Sequence, residues 1–359
     1  MIQCQCNNGA IRNHLHCIIP PYVMERLSES SNPALRKLAV QAIEAGAQAR
    51  TARAILSQLP MTGLSSAVNG SISAKKNRLI YDVRGQGQSS LPGRLVRSEG
   101  GAPSKDPAVN EAYDFSGITY DFYFKLFGRR SLDNKGISLI SSVHLLNKFN
   151  NAFWNGQQMA YGDGDGTLFL RFTQSLDVVG HELTHGVVSN ECNLVYQGQS
   201  GALNEHFADA FGVMVKQWKL KQTALQADWL VGSELMAPQS GVKSIRTFAA
   251  TKAFENNRDI GSDMQPKHMR DLFTGSGDNG GVHINSGIPN HAFYLFARSL
   301  KGNSWENAGS IWYEAMRKLS SDSVFTDMVT TTEMIAVKNH GAQSAQHKAL
   351  QTAWRAVGL

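Results

Sequence analysis

The stretch VVGHELTHGVV, residues 178–188, places two histidines four residues apart with a glutamate directly after the first. Four residues make about one helical turn, so His181 and His185 would stand one above the other on one helix face. Two imidazoles so placed can hold one divalent ion, at ~2.0–2.1 Å for zinc. Glu182 would then lie beside the ion but angled away from it, where a base for an attacking water belongs. The competing reading is the ordinary polar face of a buried helix.

A catalytic zinc wants three protein ligands and one open position. SGALNEHFADAFG, residues 200–212, reads as a second helix, with Glu205 and Asp209 one turn apart on one face. Glu205 can be the third ligand. Asp209 can accept the second ring N–H of His181 and fix its tautomer. His206 points elsewhere on that helix. Two histidines and a glutamate suit zinc without excluding cobalt or manganese. A third element, GDNGGVHINSGIPNHAFYLF (277–296), carries a Gly-rich loop that puts His283 just before a helix. Asp278 could orient it. A hydrolase that passes through an oxyanion needs donors aimed at it. His283, Arg246 in KSIRTF and the Tyr196 hydroxyl in NLVYQGQSG are candidates, although composition alone also allows each a structural place.

Around these motifs the chain divides. Residues 1–60 read as a helical leader: PPYVMERL (20–27) enters a short helix, and NPALRKLAVQAIEAGAQARTARAIL (32–56) is amphipathic, with Asn32 as N-cap and Pro33 at the first helical position. The Gly/Ser-rich residues 61–77 read as a linker. Residues 78–175 show short β-like runs separated by Gly, Asp and Asn. Residues 176–359 are mostly helical, over 177–190, 202–219, 289–300, 305–319, 324–339 and 343–356. This order argues for an α+β fold with two lobes.

The leader holds six Lys/Arg against three acids, half of the net charge of +6, and no dense basic stripe follows. That argues against a nucleic-acid partner. No apolar run approaches the ~18 residues of a membrane span, so no membrane partner is expected. The start, MIQCQCNNGAIRNHLHC, has no signal-peptide pattern. Synthesis and folding in the cytoplasm are expected, with any export by a non-classical route. Of the four cysteines, Cys4, Cys6 and Cys17 precede residue 18 and Cys192 stands alone, which is no disulfide framework.

HELTHGV, GALNEHFADAFG and DNGGVHINSGI resemble, in order and spacing, the thermolysin-like zinc metallopeptidases. NNAFWNGQQMAYGDGDG (150–166) is similar to that family's edge strand and following loop. The resemblance spans about 78–359. The short leader with PPY resembles the protealysin subgroup, whose precursors carry a short propeptide. The resemblance implies a two-lobed metallopeptidase fold preceded by a helical propeptide. It also implies the roles of the site residues. By it, His181, His185 and Glu205 bind one Zn²⁺, and Glu182 is the base that later passes a proton to the leaving amine. His283 and Tyr196 would stabilise the oxyanion, and Asp209 and Asp278 would support His181 and His283. Asn151, the main chain of Ala152, and Arg246 would hold the substrate backbone, Asn151 and Ala152 by strand addition. By the same resemblance, Phe169, Phe172, Val178 and Ile245 line an apolar pocket for the residue after the scissile bond. Cleavage before Leu, Ile, Val or Phe is expected, with Phe172 shrinking the pocket.

One position departs from the family pattern. Calcium-binding members carry an acid where this chain has Lys216, facing Asp177. An ammonium there disfavours Ca²⁺, and Lys216 is expected to pair with Asp177. The GDGDG loop (162–166) reads as a tight turn. The leader is expected to block the cleft as an intramolecular inhibitor until it is cut somewhere in 50–76. Cys17 could approach zinc through its thiolate or be an ordinary buried cysteine. The expected function is a zinc endopeptidase precursor acting on protein and peptide substrates. The alternatives are a catalytically silent zinc-binding relative and a metallo-aminopeptidase.

Overall fold

The computed structural model describes residues 16–58 and 75–359, with side chains from Cys17 to Gln48 and from 75 onward. Cys4, Cys6, His14 and nearly all of the expected linker lie outside the described residues.

The leader forms a short strand β1 (His16–Cys17) and helices α1 (Pro21–Ser28) and α2 (Pro33–Gln58). Proline at the first position of each helix costs nothing, because that N–H has no intrahelical partner. The Asn32 side chain accepts the Ala34 N–H at 3.0 Å, as an N-cap should. Val23, Met24 and Leu27 of α1 and Leu35, Ala39 and Ala42 of α2 are buried.

Next come β2 (Arg78–Asp82), β3 (Arg94–Ser98), α3 (Pro107–Phe127), β4 (Leu139–Val143), β5 (Ala152–Trp154) and β6 (Met159–Tyr161). The strands make one sheet in the order β1-β5-β6-β4-β2-β3. Strand β4 runs parallel to β2 and β6, while β5 is antiparallel to β6. The leader's β1 covers the outer edge of β5. Helix α3 departs from the strand-like reading of this region. ITYDFYF is rich in β-branched and aromatic residues, which favour strands. Local caps and helical burial prevail: Asp106 accepts the Ala108 N–H at 2.9 Å, Pro107 opens the helix, and Gly128 closes it at φ 66°.

The C-terminal lobe contains α4 (Leu176–Asn190), α5 (Gly198–Leu220), a small ribbon of β7 (Leu230–Val231) and β8 (Arg246–Thr247), then α6 (Gly277–Asn285), α7 (Gly287–Leu300), α8 (Asn307–Met316), α9 (Phe325–His340) and α10 (Ala345–Ala356). The result is a sheet-containing lobe joined to a helical one, the α+β arrangement expected.

Helices α4 and α5 are buried along nearly their whole length, and they touch backbone to backbone. A Cβ on Gly180 would stand 3.1 Å from the Gly212 Cα, and one on Gly212 would stand 2.4 Å from the Asp177 carbonyl oxygen. Only glycine permits that approach, which sets the distance between the side chains that the two helices present. Helix α6 opens irregularly. Asp278, Asn279, Gly280 and Gly281 all have positive φ, between 50° and 82°. His283 therefore sits inside this helical segment, after a left-handed turn, rather than ahead of it.

Candidate active site

Helix α4 presents His181 and His185, and α5 presents Glu205, all three fully buried. The His181 and His185 Nε2 atoms are 3.0 Å apart. They lie 3.6 and 3.4 Å from the Glu205 carboxylate oxygens. The outer ring nitrogens have acceptors: His181 Nδ1 donates to Asp209 Oδ1 at 2.9 Å and His185 Nδ1 to Asn204 Oδ1 at 2.8 Å. Both Nδ1 atoms thus carry the proton, and both Nε2 atoms present lone pairs to each other. Two lone pairs at this separation repel unless a cation lies between them. Ligand nitrogens on a tetrahedral zinc stand about 3.3 Å apart at ~2.05 Å bonds, close to what is found. Glu205 Oε2 is buried and has no hydrogen-bond donor among the described residues, which a cation would satisfy. Burial, then His181, hold the His185 pKa well below its usual value, keeping it a neutral ligand. The donor set fits zinc.

Glu182 lies beside this cluster. Its Oε2 accepts the Trp154 N–H of β5 at 3.0 Å, while Oε1 has no partner among the described residues. Burial and then the Glu205 charge push its pKa well above the usual carboxyl range. Across the cleft, the Asp278 carboxylate accepts the His283 and Ile284 N–H groups at 2.8 and 3.1 Å, and stands 2.6 Å from His283 Nδ1. The left-handed turn makes this possible, because it folds the Asp278 side chain back over the start of the following helical turn. His283 Nε2 is 3.1 Å from the Tyr196 hydroxyl, which donates to Glu205 Oε1. Burial opposes the charged form of His283, but Glu205 and Asp278 outweigh it and raise its pKa to about 9.

The leader fills the cleft as an extended strand. β1 pairs antiparallel with β5, His16 opposite Trp154 and Cys17 opposite Phe153. The Ile18 N–H donates to the Ala152 carbonyl at 3.3 Å, and the Ile19 N–H to Asn151 Oδ1 at 3.3 Å. Arg246 donates to the Ile18 carbonyl at 2.7 Å while its other nitrogens pair with Asp209. Asn151, Ala152 and Arg246 therefore meet on one peptide segment. The Cys17 contact with the site is through its carbonyl, 2.9 Å from His283 Nε2. Its sulfur is not in the group of converging ligand atoms, which comprises His181, His185 and Glu205 among the described residues.

Phe169 and Ile245 line a small apolar cavity with Met236, Val242, Phe254 and Ile260, closed by Ile19 and Val23 of the leader. Phe172 and Val178 are buried but do not line it. Phe172 instead packs on Phe169, with ring centroids 5.8 Å apart. Sequence reasoning missed Met236, Val242, Phe254 and Ile260, which come from loops with no recognisable motif. It also missed Asn204, the partner of His185, although Asn204 directly precedes Glu205.

Lys216 Nζ lies 3.5 Å from Asp177, 3.6 Å from Asp228 and 2.8 Å from Glu234. In the GDGDG loop, Asp163 pairs with His144 at 2.9 Å and Asp165 accepts the Leu168 N–H at 2.7 Å. Both carboxylates are thus engaged within the chain.

Comparison with known proteins decides the family. The model of the thermolysin metallopeptidase catalytic domain matches residues 64–189, and that of its alpha-helical domain matches 192–359. The chain belongs to the thermolysin family of metallopeptidases. It is 43% identical to an extracellular metalloprotease of Pectobacterium carotovorum subsp. carotovorum, over 95% of this chain and 96% of that protein. Identity to protease PrtS of Photorhabdus sp. (strain Az29) is 38%, over 97% and 93%. Identity to a thermolysin of Alicyclobacillus acidocaldarius subsp. acidocaldarius is 35%, over 78% of this chain and 51% of that protein. Among solved structures, the precursor of protealysin from Serratia proteamaculans superposes with a TM-score of 0.84 at 42% identity, covering 96% of this chain and 99% of that one. This thermolysin-family chain is a metalloendopeptidase with a His-His-Glu cluster able to bind metal, and no helix among the described residues is long and apolar enough to cross a membrane.

Proposed function

We propose that the chain is the self-inhibited precursor of a zinc endopeptidase that cleaves before apolar residues. One observation carries this reading: the leader backbone lies on Asn151, Ala152 and Arg246, where a substrate backbone would lie. Residues 1–60 are the propeptide, 61–77 contain the processing region, and 78–175 and 176–359 are the catalytic lobes.

His181, His185 and Glu205 would hold zinc, which supplies Lewis-acid polarisation of the carbonyl and brings the pKa of a water toward ~7. Glu182 takes the proton from the attacking water and delivers it to the departing amine. Its carboxylate is anchored on one oxygen by the Trp154 N–H, so the other is left for proton transfer. His283 and Tyr196 donate to the developing oxyanion, and Asp278 keeps the His283 ring in place. Asp209 fixes both His181 and Arg246, coupling the metal cluster to the substrate clamp. Phe169, Phe172, Val178 and Ile245 would form the apolar wall that selects Leu, Ile, Val or Phe after the scissile bond. Lys216 takes the place of calcium beside Asp177, and the mature enzyme is exported, in keeping with its extracellular relative.

The test is intact mass over time for the purified, zinc-loaded chain beside Glu182→Ala, followed by assay on an added peptide. The wild type sheds its leader and cleaves the peptide before an apolar residue, while the variant does neither. A wild type that binds zinc yet stays inert after the leader is trimmed would be a silent relative. Release of single N-terminal residues would mark an aminopeptidase.

A further inference from the structure

We propose that the Cys17–Ile18 peptide bond is itself a cleavage site, held in the reacting register, so that the leader is a substrate whose product stays bound. This rests on the endopeptidase reading above.

Four backbone contacts fix the direction and register of the leader. Cys17 pairs antiparallel opposite Phe153. The Ile18 N–H reaches the Ala152 carbonyl at 3.3 Å, Arg246 reaches the Ile18 carbonyl at 2.7 Å, and the Ile19 N–H reaches Asn151 at 3.3 Å. Together they bracket one peptide bond. Its carbonyl oxygen is 2.9 Å from His283 Nε2, beside the Tyr196 hydroxyl. Its nitrogen donates to the Ala152 carbonyl of β5, the strand whose Trp154 N–H holds the Glu182 carboxylate. A leader crossing the cleft in the opposite direction would present an N–H where this one presents a carbonyl. The residue after the bond, Ile18, is wholly buried and of the expected apolar type, while the next residue, Ile19, closes the small cavity beside Phe169 and Ile245. The two prolines, Pro20 and Pro21, come only later, so nothing at the bond itself removes the amide proton that the register uses.

Hydrolysis joins the oxygen of one water to the Cys17 carbonyl carbon and breaks the bond to the Ile18 nitrogen. Glu182 carries the water's proton to that nitrogen. The products are a Cys17 carboxylate and an Ile18 amine, and water is the sole co-reactant. The two sides are held unequally. On the described amino-terminal side only His16 and Cys17 pair with β5. On the other side Ile18, Ile19, Val23, Met24 and Leu27 are buried, and Ser30 bonds Asp259 at 2.7 Å. The clip therefore leaves the cleft filled. Release of the leader needs a second, separate cut in the linker.

The experiment uses the full chain loaded with zinc. Intact mass and amino-terminal sequencing follow wild type, Glu182→Ala and Cys17→Ser, and hydrogen exchange follows the Ile18 and Ile19 amides in the uncut Glu182→Ala chain. The expected result is a chain starting at Ile18 in wild type and Cys17→Ser, no clip in Glu182→Ala, and slow exchange at both amides. Fragments starting at Ile18 remain with the catalytic lobes on size exclusion after the linker is cut. An enzyme that cleaves an added peptide while Cys17–Ile18 survives overturns the register and leaves the endopeptidase reading intact. So does a first cut elsewhere between 16 and 30, or fast exchange at both amides. Loss of the clip in Cys17→Ser overturns the carbonyl chemistry. A trimmed chain that cleaves no peptide overturns both readings.

Discussion

Lys216 and Asp177 face each other at 3.5 Å at the buried start of α4, with Glu234 2.8 Å from the same ammonium. Burial raises the Asp177 pKa and Lys216 lowers it, so the ammonium is what keeps a carboxylate tolerable there. Lys216→Met would strand that carboxylate. The expected loss is roughly 3 kcal/mol in urea unfolding, the low end for breaking a buried pair from one side. Added calcium should leave the wild-type midpoint unchanged, and a calcium-dependent rise would count against the replacement of the ion by lysine.

Gly212→Ala tests the contact between the two site helices. The new Cβ would meet the Asp177 carbonyl at 2.4 Å and the His181 nitrogen at 2.9 Å, both backbone atoms that cannot swing aside. The helices must separate, with a cost of about 1–3 kcal/mol. Because His181 and Glu205 sit on opposite helices, zinc retention during dialysis should fall along with stability. Unchanged zinc content in a destabilised variant would show that the cluster tolerates the shift.

Asp209→Asn removes a charge without changing shape. Asp209 receives His181, both forks of Arg246 and Asn290. Loss of this outer partner should weaken zinc binding by about 10–100-fold in a competition titration with a chelator. It should also leave the Arg246 charge buried without its carboxylate, so the variant is expected to unfold at lower urea.

His144 gives a pH dependence away from the metal. Its ring lies between Asp163 at 2.9 Å and Asp106 at 2.7 Å, with the Arg171–Glu111 pair nearby. The Asp163 hydrogen bond raises its pKa from 6.5 to about 9, against burial and with help from Asp106. A raised folded-state pKa means that the imidazolium stabilises the fold fully below pH 6.5 and that this contribution is lost as pH rises through about 9. The urea midpoint of His144→Gln should vary less than wild type across that window. Parallel curves would assign the slope to other groups.

Legibility in the sequence tracked the range of the forces involved. The site faces of α4 and α5 were legible because helical spacing alone aligns His181 with His185 and Glu205 with Asp209. The Asn32 cap of α2 is equally local. Helix α3 was hidden, since ITYDFYF carries strand-like residues and only its Asp-Pro start and Gly end signal a helix. The Asp278–Gly281 turn showed as a glycine-rich loop, but its left-handed path, which aims the carboxylate at His283, did not. Least legible were meetings across the chain: β1 on β5, Met236 and Phe254 beside Phe169, and Glu234 beside Lys216. Each depends on tertiary geometry that no single segment encodes.

The edge of β5 that the leader covers has a consequence for which proteins such an enzyme attacks once the leader has gone. On the proposed reading, a guest would offer a stretch of N–H and C=O groups to Asn151, Ala152 and Arg246, as the leader does. A residue inside a helix or a sheet already has those groups engaged. Cleavage therefore waits on local opening of the target, and susceptibility should follow how often a loop frays more closely than how many Leu or Ile residues it contains. An enzyme built on such an edge reads conformation before it reads sequence.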